Sequence, residues 1–153
     1  MSGSHETIHL EKTRAGCALC EDYTRREAGK PIVVMACEGA CLRGELARLA
    51  ANHLCDELLP GQTARLCLGG AFTKDTGQRN LARQAPRVLA IEGCPTACAS
   101  RMMKAVIPEL RPEIQWIPKL TSFDGSLFAI KEMPEAERKA QAAQAARTIL
   151  QSL

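Results

Sequence analysis

One stretch of the chain constrains the fold more than any other, because an apolar run leads directly into a glycine, two cysteines and a proline. In residues 88–98, Cys94 and Cys98 stand four positions apart, and Pro95 lies between them. Proline is favoured at the first position of a helix, so the pattern predicts a strand followed by a helix that begins at Pro95. Cys94 would then lie at the start of that helix, with Cys98 one turn further on the same face. Because a helix start lowers the pKa of a thiol, this arrangement indicates thiolate chemistry or metal ligation.

Two similar patterns occur upstream of this stretch. The apolar run 32–35 is followed by Cys37, and the run 64–70 contains Cys67 and ends in glycines. Short apolar runs bounded by turn residues are typical of buried parallel strands. The sequence therefore predicts three strands that each end near a cysteine.

Helical patterns separate these strands. Leucines at helical spacing predict a helix over residues 42–59, and a second, shorter helix is predicted over 78–84. The helix after the third strand is expected to reach about Val106. A fourth strand over 114–117 should lie at the sheet edge, because Pro118 follows it. A last helix should begin at Pro134 and pack on the sheet through Ala136, Ala140, Ala143, Ile149 and Leu150.

Strands that alternate with helices in this way predict a three-layer α/β fold. We expect a mostly parallel four-stranded sheet with flanking helices, of the Rossmann or flavodoxin-like kind. Residues 31–153 are predicted to form a single α/β domain, and residues 1–30 a polar N-terminal extension with a short helix or knuckle.

Composition excludes several classes of function. The net charge of +3 is too small to indicate binding to nucleic acid, and no apolar run is long enough to cross a membrane. The first twelve residues lack the apolar segment of a signal peptide, so we expect a cytoplasmic protein. Eight cysteines are many for 153 residues, and in a reducing compartment clustered cysteines indicate metal ligands or redox thiols.

Because parallel strands end at the same edge of a sheet, the cysteines that follow them should lie close together. This predicts one site at the carboxyl ends of the strands. Cys55 borders the leucine stripe of the first long helix and is expected to belong to the core. The predicted ligands are Cys37, Cys67, Cys94 and Cys98, with Cys41 as an added or substitute ligand, while Cys17 and Cys20 either join that site or form a separate one.

The order of these motifs resembles the DGC-domain family, small bacterial and archaeal proteins to which zinc binding is ascribed. The resemblance spans about residues 31–130, and Glu92 stands where the family has the aspartate of its name. It implies that the ligands are the same four cysteines at the strand ends. The matching segments are Cys37-Glu38-Gly39, Gly44-Glu45-Leu46-Ala47, Cys67-Leu68-Gly69-Gly70 and Glu92-Gly93-Cys94-Pro95-Thr96-Ala97-Cys98.

Four thiolates suit either a zinc ion or a [4Fe–4S] cluster. The sequence thus predicts a cysteine-ligated metal protein, with zinc favoured by the resemblance, that acts as an accessory, metal-handling or redox partner protein. Such a protein would work with a protein partner or as a homo-oligomer, without nucleic acid or membrane.

An enzyme is the alternative. Cys37 and Arg43 form a C-x5-R loop directly after a strand, as in low-molecular-weight phosphatases and arsenate reductases. In that hypothesis Cys37 attacks phosphorus or arsenic, Arg43 and backbone N–H groups hold the oxyanion, and Asp124 is the general acid. The sequence alone does not decide whether the chain catalyses a reaction.

Overall fold

The computed structural model describes residues 3–153; Met1 and Ser2, the first residues of the predicted extension, lie outside the described residues. Over this range the chain forms a four-stranded sheet in which every pairing is parallel and the strand order is β2-β1-β3-β4. The strands are β1 (Ile32–Ala36), β2 (Thr63–Arg65), β3 (Arg87–Glu92) and β4 (Glu113–Trp116). The predicted α/β fold class is confirmed, and β4 lies at an edge as expected.

Seven α-helices accompany the sheet in the described range. They are α1 (Ala18–Glu27), α2 (Leu42–His53), α3 (Leu68–Thr73), α4 (Gly77–Gln84), α5 (Cys98–Val106), α6 (Ile117–Leu120) and α7 (Glu135–Ser152). The long helix predicted over 42–59 continues as a π-helical turn, Leu54–Leu58, after α2. No helix in the described part of the chain is long and apolar enough to cross a membrane.

Side chains alternate between the two faces of the sheet, and each face is covered by different helices. Val34 and Leu89 face a core shared with α2 and α7, whereas Val33 and Ala90 face a core shared with α3, α4 and α5. Since both faces are buried, the strands contain apolar residues in succession. Helix α1 packs on α4, outside the second face.

The prediction of a strand through residues 64–70 was wrong at its end. The strand stops at Arg65, and α3 begins at Leu68. Leu68 and Ala71 stand three positions apart and are both buried against the second core, which is the spacing of one helical face. Burial of this short apolar face therefore outweighs the low helix propensity of Gly69 and Gly70.

The predicted start of the helix after β3 was also wrong. Helix α5 begins at Cys98, and Cys94 lies in the preceding turn. A 3.0 Å hydrogen bond from the N–H of Ala97 to the carbonyl of Cys94 closes that turn. Ala97 has φ 50° and ψ 51°, in the left-handed region, so the backbone cannot continue helically from Pro95.

The apolar face of α7 was assigned incorrectly as well. Ala136 and Ala140 are exposed and Ala143 is only partly buried, so the first turns of α7 stand in solvent. Ile149 was placed correctly, and α7 packs against α2 in the first core. The buried residues of α7 are Ala142, Ala145, Ala146 and Ile149.

Candidate functional site

The carboxyl ends of the two central strands, β1 and β3, form the centre of the candidate site. Ala36 lies opposite Ile91 in the parallel register. The backbone N–H of Cys37 then donates a 2.8 Å hydrogen bond to the carbonyl of Ile91, which fixes Cys37 at the end of β1. Strand order reverses between these two strands, and ligands of open α/β sheets bind at such a point.

Cys37 is enclosed at this edge. Its side chain is buried, and burial raises the pKa of the Cys37 thiol, although hydrogen bonds from the backbone N–H groups of Gly39 and Gly93 oppose that change. The thiol of Cys98 is near enough that its charge also raises the pKa of Cys37. Cys98, at the start of α5, packs against the same core as Cys37. The structure therefore brings these two predicted ligands together.

Cys41 joins the same group from the start of α2. Its sulfur accepts a 3.4 Å hydrogen bond from the backbone N–H of Gly44, as an N-cap side chain does. A Cβ atom added at Gly39 would lie 3.8 Å from the sulfur of Cys37 and 3.8 Å from that of Cys41. Cys41 is thus placed to add a sulfur beside Cys37.

Cys94 lies in the turn between β3 and α5 and is partly buried. Hydrogen bonds from the hydroxyl and the backbone N–H of Thr96 lower the pKa of the Cys94 thiol. The charges of Glu92 and Arg43 also reach it, with opposite effects on that pKa. Cys94 therefore has a neighbourhood that favours the thiolate, the form that binds metals.

Glu92 ends β3 beneath these thiols and has no exposed surface. Its Oε1 atom accepts 2.7 Å hydrogen bonds from both the backbone N–H and the hydroxyl of Ser100, which holds the first turn of α5. Its Oε2 atom has no hydrogen-bond partner among the described residues. Its charge raises the pKa of Cys37 and that of Cys94, so an unsatisfied carboxylate oxygen lies close to the thiol site.

Two glycines let the loops at this edge approach α2 closely. A Cβ atom at Gly44 would lie 2.7 Å from the backbone nitrogen of Gly39, and one at Gly93 would lie 2.9 Å from the carbonyl carbon of Arg43. Both distances are too short for any side chain. The glycines of the recognised motifs thus bring the loops after β1 and β3 against the first turn of α2.

Cys67 lies elsewhere, beside α4 and α1. Its backbone N–H donates a 2.9 Å hydrogen bond to Oε1 of Gln78, whose Nε2 donates to the sulfur of Cys20 at 3.3 Å. Cys67 is exposed, Cys20 is partly buried and Cys17 is exposed. The structure therefore brings Cys67 together with the N-terminal CxxC through one side-chain amide.

Sequence reasoning did not find Gln78. Its side chain is almost fully buried on the face of α4 that also carries Leu81 and Ala82. A glutamine at the helical spacing of buried apolar residues was the available signal, because a buried amide needs polar partners. Those partners are the two cysteine residues.

Cys37, Cys41, Cys94 and Cys98 lie at the ends of the central strands, but their side chains do not form a closed set of metal ligands. Within residues 3–153, no three cysteine, histidine, aspartate or glutamate side chains are grouped closely enough to hold a metal ion. That Cys37, Cys67, Cys94 and Cys98 share one ion therefore stays a prediction. Cys55 lies in the core as expected, and burial raises the pKa of its thiol to about 11.

That Cys37, Arg43 and Asp124 form a phosphatase-like site stays a hypothesis. The guanidinium of Arg43 donates a 2.8 Å hydrogen bond to the carbonyl of Gly125 and lies 5.8 Å from the ring centre of Phe123. Hydrogen bonds from the N–H and hydroxyl of Ser126 lower the pKa of Asp124, whereas a general acid needs a raised one. The raised pKa of Cys37 is likewise opposite to that of an activated nucleophile.

Comparison with known proteins gives a family match over more than half of the chain. The family model described as the DGC domain matches residues 33–119, which include the three strand ends with Cys37, Cys67 and Cys94. No curated protein matches the chain, and no solved structure matches it.

Proposed function

Since the chain belongs to the DGC-domain family, we propose that it binds a zinc ion through cysteine thiolates at the carboxyl edge of the sheet. The observation that carries the proposal is the gathering of Cys37 and Cys98, with Cys94 near the same carboxylate, at the ends of the two central strands. The protein would act as an accessory, metal-handling or redox partner protein.

Cysteine thiolates fit either zinc or an iron–sulfur cluster. Many structural zinc sites are built from cysteine thiolates, and iron–sulfur clusters are held by them. Cys37, Cys94 and Cys98 would be three ligands, and the fourth would be Cys41, which is adjacent, or Cys67, which the family pattern implies. When bound, zinc would supply a positive charge that stabilises several thiolates in one place.

The surrounding residues would orient these ligands. Gly39 and Gly93 donate backbone N–H groups to the sulfur of Cys37, and Thr96 donates to that of Cys94. Glu92 holds the first turn of α5 through Ser100, and thereby the position of Cys98. A carboxylate that supports a ligand from behind in this way is common around metal sites.

Elemental analysis of protein purified with and without oxygen tests the proposal. Zinc without colour is expected in both preparations. A brown protein with iron and acid-labile sulfide would replace zinc by the [4Fe–4S] cluster of the alternative. Free thiols and no metal in either preparation would refute the metal proposal.

Serine substitutions identify the ligands. Cys37→Ser, Cys94→Ser and Cys98→Ser should each lower the bound metal sharply, because serine is a poor zinc ligand. Cys55→Ala is the matched control: it also removes a thiol, but one that lies in the core, so metal content should not change. If the control loses metal as the others do, the loss reflects unfolding and not ligation.

A further inference from the structure

The CxxC at the start of α1 and Cys67 lie outside the site around Cys37. We propose that Cys17, Cys20 and Cys67 make a second binding site for a thiophilic metal ion such as Zn²⁺. The chain would then hold two ions, one on each side of the sheet edge.

The position of α1 is fixed by specific contacts. The hydroxyl of Tyr23 donates a 2.7 Å hydrogen bond to the carbonyl of Arg65 at the end of β2, and Thr24 is buried in the contact with α4. A Cβ atom at Gly77 would lie 2.1 Å from Oγ1 of Thr24, so only glycine allows this approach. The CxxC is therefore held beside the end of β2.

The two cysteines of the CxxC face the same side of α1. Cys17 is the N-cap residue and Cys20 lies in the first turn, three positions on, which places both on one face. Cys20 contacts Gln78, so this face points toward α4. No side-chain cap covers the backbone N–H groups at the start of this ten-residue helix.

A cation lies beside the backbone that leads into Cys17. Nζ of Lys74 donates a hydrogen bond to the carbonyl of Ala15, and it lies 3.7 Å from the position of a Cβ atom at Gly16, the residue before Cys17. Three thiolates on Zn²⁺ leave one net negative charge, which a nearby ammonium group would offset in part.

Cys67 provides the third sulfur. Its sulfur lies 3.4 Å from the position of a Cβ atom at Gly70, which is itself 3.6 Å from Cγ of Gln78. In the described residues the three sulfurs are not yet within reach of a single ion. Cys17 and Cys67 are exposed, and the proposed site requires their side chains to rotate toward Cys20 until each sulfur is about 2.3 Å from the metal.

The two groups lie on different sides of the sheet. Cys37 belongs to the core shared with α2 and α7, and Cys98 packs against that core, whereas Leu68, directly after Cys67, and Leu81, on the helix of Gln78, belong to the core on the other face. This separation is why Cys67 is assigned to the CxxC and not to Cys37. Three sulfur ligands leave the fourth position of a tetrahedral ion open to water or to a partner's side chain.

Zinc content of the full chain, measured after purification with zinc and gel filtration, tests the assignment. The wild type should bind about two ions, and the double variant Cys17→Ser with Cys20→Ser about one. Leu19→Ser, in the same helical turn with an exposed side chain, is the matched control and should leave about two.

The deciding measurement is the zinc content of variants that combine Cys67→Ser with changes at either site. Adding Cys67→Ser to the variant with Cys17→Ser and Cys20→Ser should remove no further zinc. Combining Cys67→Ser with Cys37→Ser should leave no bound zinc. If Cys67→Ser with Cys37→Ser instead keeps about one ion, Cys67 belongs to the Cys37 site and the proposal fails. If the wild type binds one ion and keeps it when Cys17 and Cys20 are replaced, the second site is refuted and the first is preserved. If the wild type binds one ion and loses it only when Cys17 and Cys20 are replaced, the first site alone is refuted.

Discussion

Gly77→Ala should release α1 from α4. The new Cβ atom would lie 2.1 Å from Oγ1 and 2.9 Å from Cβ of Thr24, and 2.9 Å from Oε2 of Glu21. Rotation of the Thr24 side chain can move Oγ1 away but cannot move its Cβ, so α1 itself must shift. That shift would weaken the hydrogen bond from Gln78 to Cys20.

Two opposing effects set the magnitude. Alanine is a better helix former than glycine by up to about 1 kcal/mol, which favours α4. Overpacking a buried contact costs about 1–3 kcal/mol, and the clash here involves a Cβ atom that cannot move independently of its backbone. We therefore expect a net loss of about 2 kcal/mol, which in a chain of this size corresponds to a fall in Tm of about 4–8 °C.

Thermal unfolding followed by circular dichroism measures the change, and the rate of alkylation of Cys20 measures the displacement of α1. Gly69→Ala is the matched control, because it adds the same methyl group to helix α3 with nothing within 4 Å. The control should be neutral or stabilising and should leave Cys20 protected. If Gly77→Ala is as stable as Gly69→Ala and Cys20 reacts no faster, the close docking of α1 is wrong.

Three further predictions concern the core, the thiols and the enzyme hypothesis. Leu46→Ala removes a fully buried side chain of α2 and should cost about 2–5 kcal/mol in urea unfolding, whereas Arg48→Ala on the same helix, which breaks a surface ion pair, should cost less than about 1 kcal/mol. The pKa of Cys55 is raised from 9.0 to about 11 by burial, so the unfolded chain loses this proton first as pH rises. The protonated thiol therefore contributes its full stabilisation below pH 9, and this contribution should disappear toward pH 11, a loss of about 2–3 kcal/mol in the free energy of unfolding. Cys55→Ala should abolish this loss. If the free energy of unfolding falls equally with alkaline pH in both proteins, the prediction is wrong. Arg43→Ala should leave the metal content unchanged, and neither protein should hydrolyse an aryl phosphate; hydrolysis lost with this substitution would establish the C-x5-R enzyme instead.

The sequence predicted the sheet well because apolar runs bounded by glycine and proline carry a strong local signal. Residues 32–35 and 87–91 are continuous apolar or nearly apolar segments, and they became the two central strands. Pairing of β1 with β3 was not predicted in detail, but their adjacency is what places Cys37 near Cys98.

The errors arose where tertiary contacts outweigh local preference. Pro95 is suited to a helix start, yet the left-handed conformation of Ala97 delays the helix to Cys98. The alanines of α7 occur at several helical spacings, and only contact with α2 determines which of them are buried. The association of Cys67 with the CxxC depends on Gln78; the helical spacing of this residue can indicate a buried amide, but only the fold identifies its polar partners.

The pairing of β1 with β3 also determines when the thiol site of Cys37 and Cys98 can form. These strands are neighbours in the sheet, but β2 and the three helices α2, α3 and α4 lie between β1 and β3 in the chain. During synthesis Cys37 emerges long before Cys98, and the two thiols can meet only after this long loop has closed and the central strands have paired. The thiol pair of Cys37 and Cys98 would therefore be completed only after both segments have been synthesised and the central strands have paired.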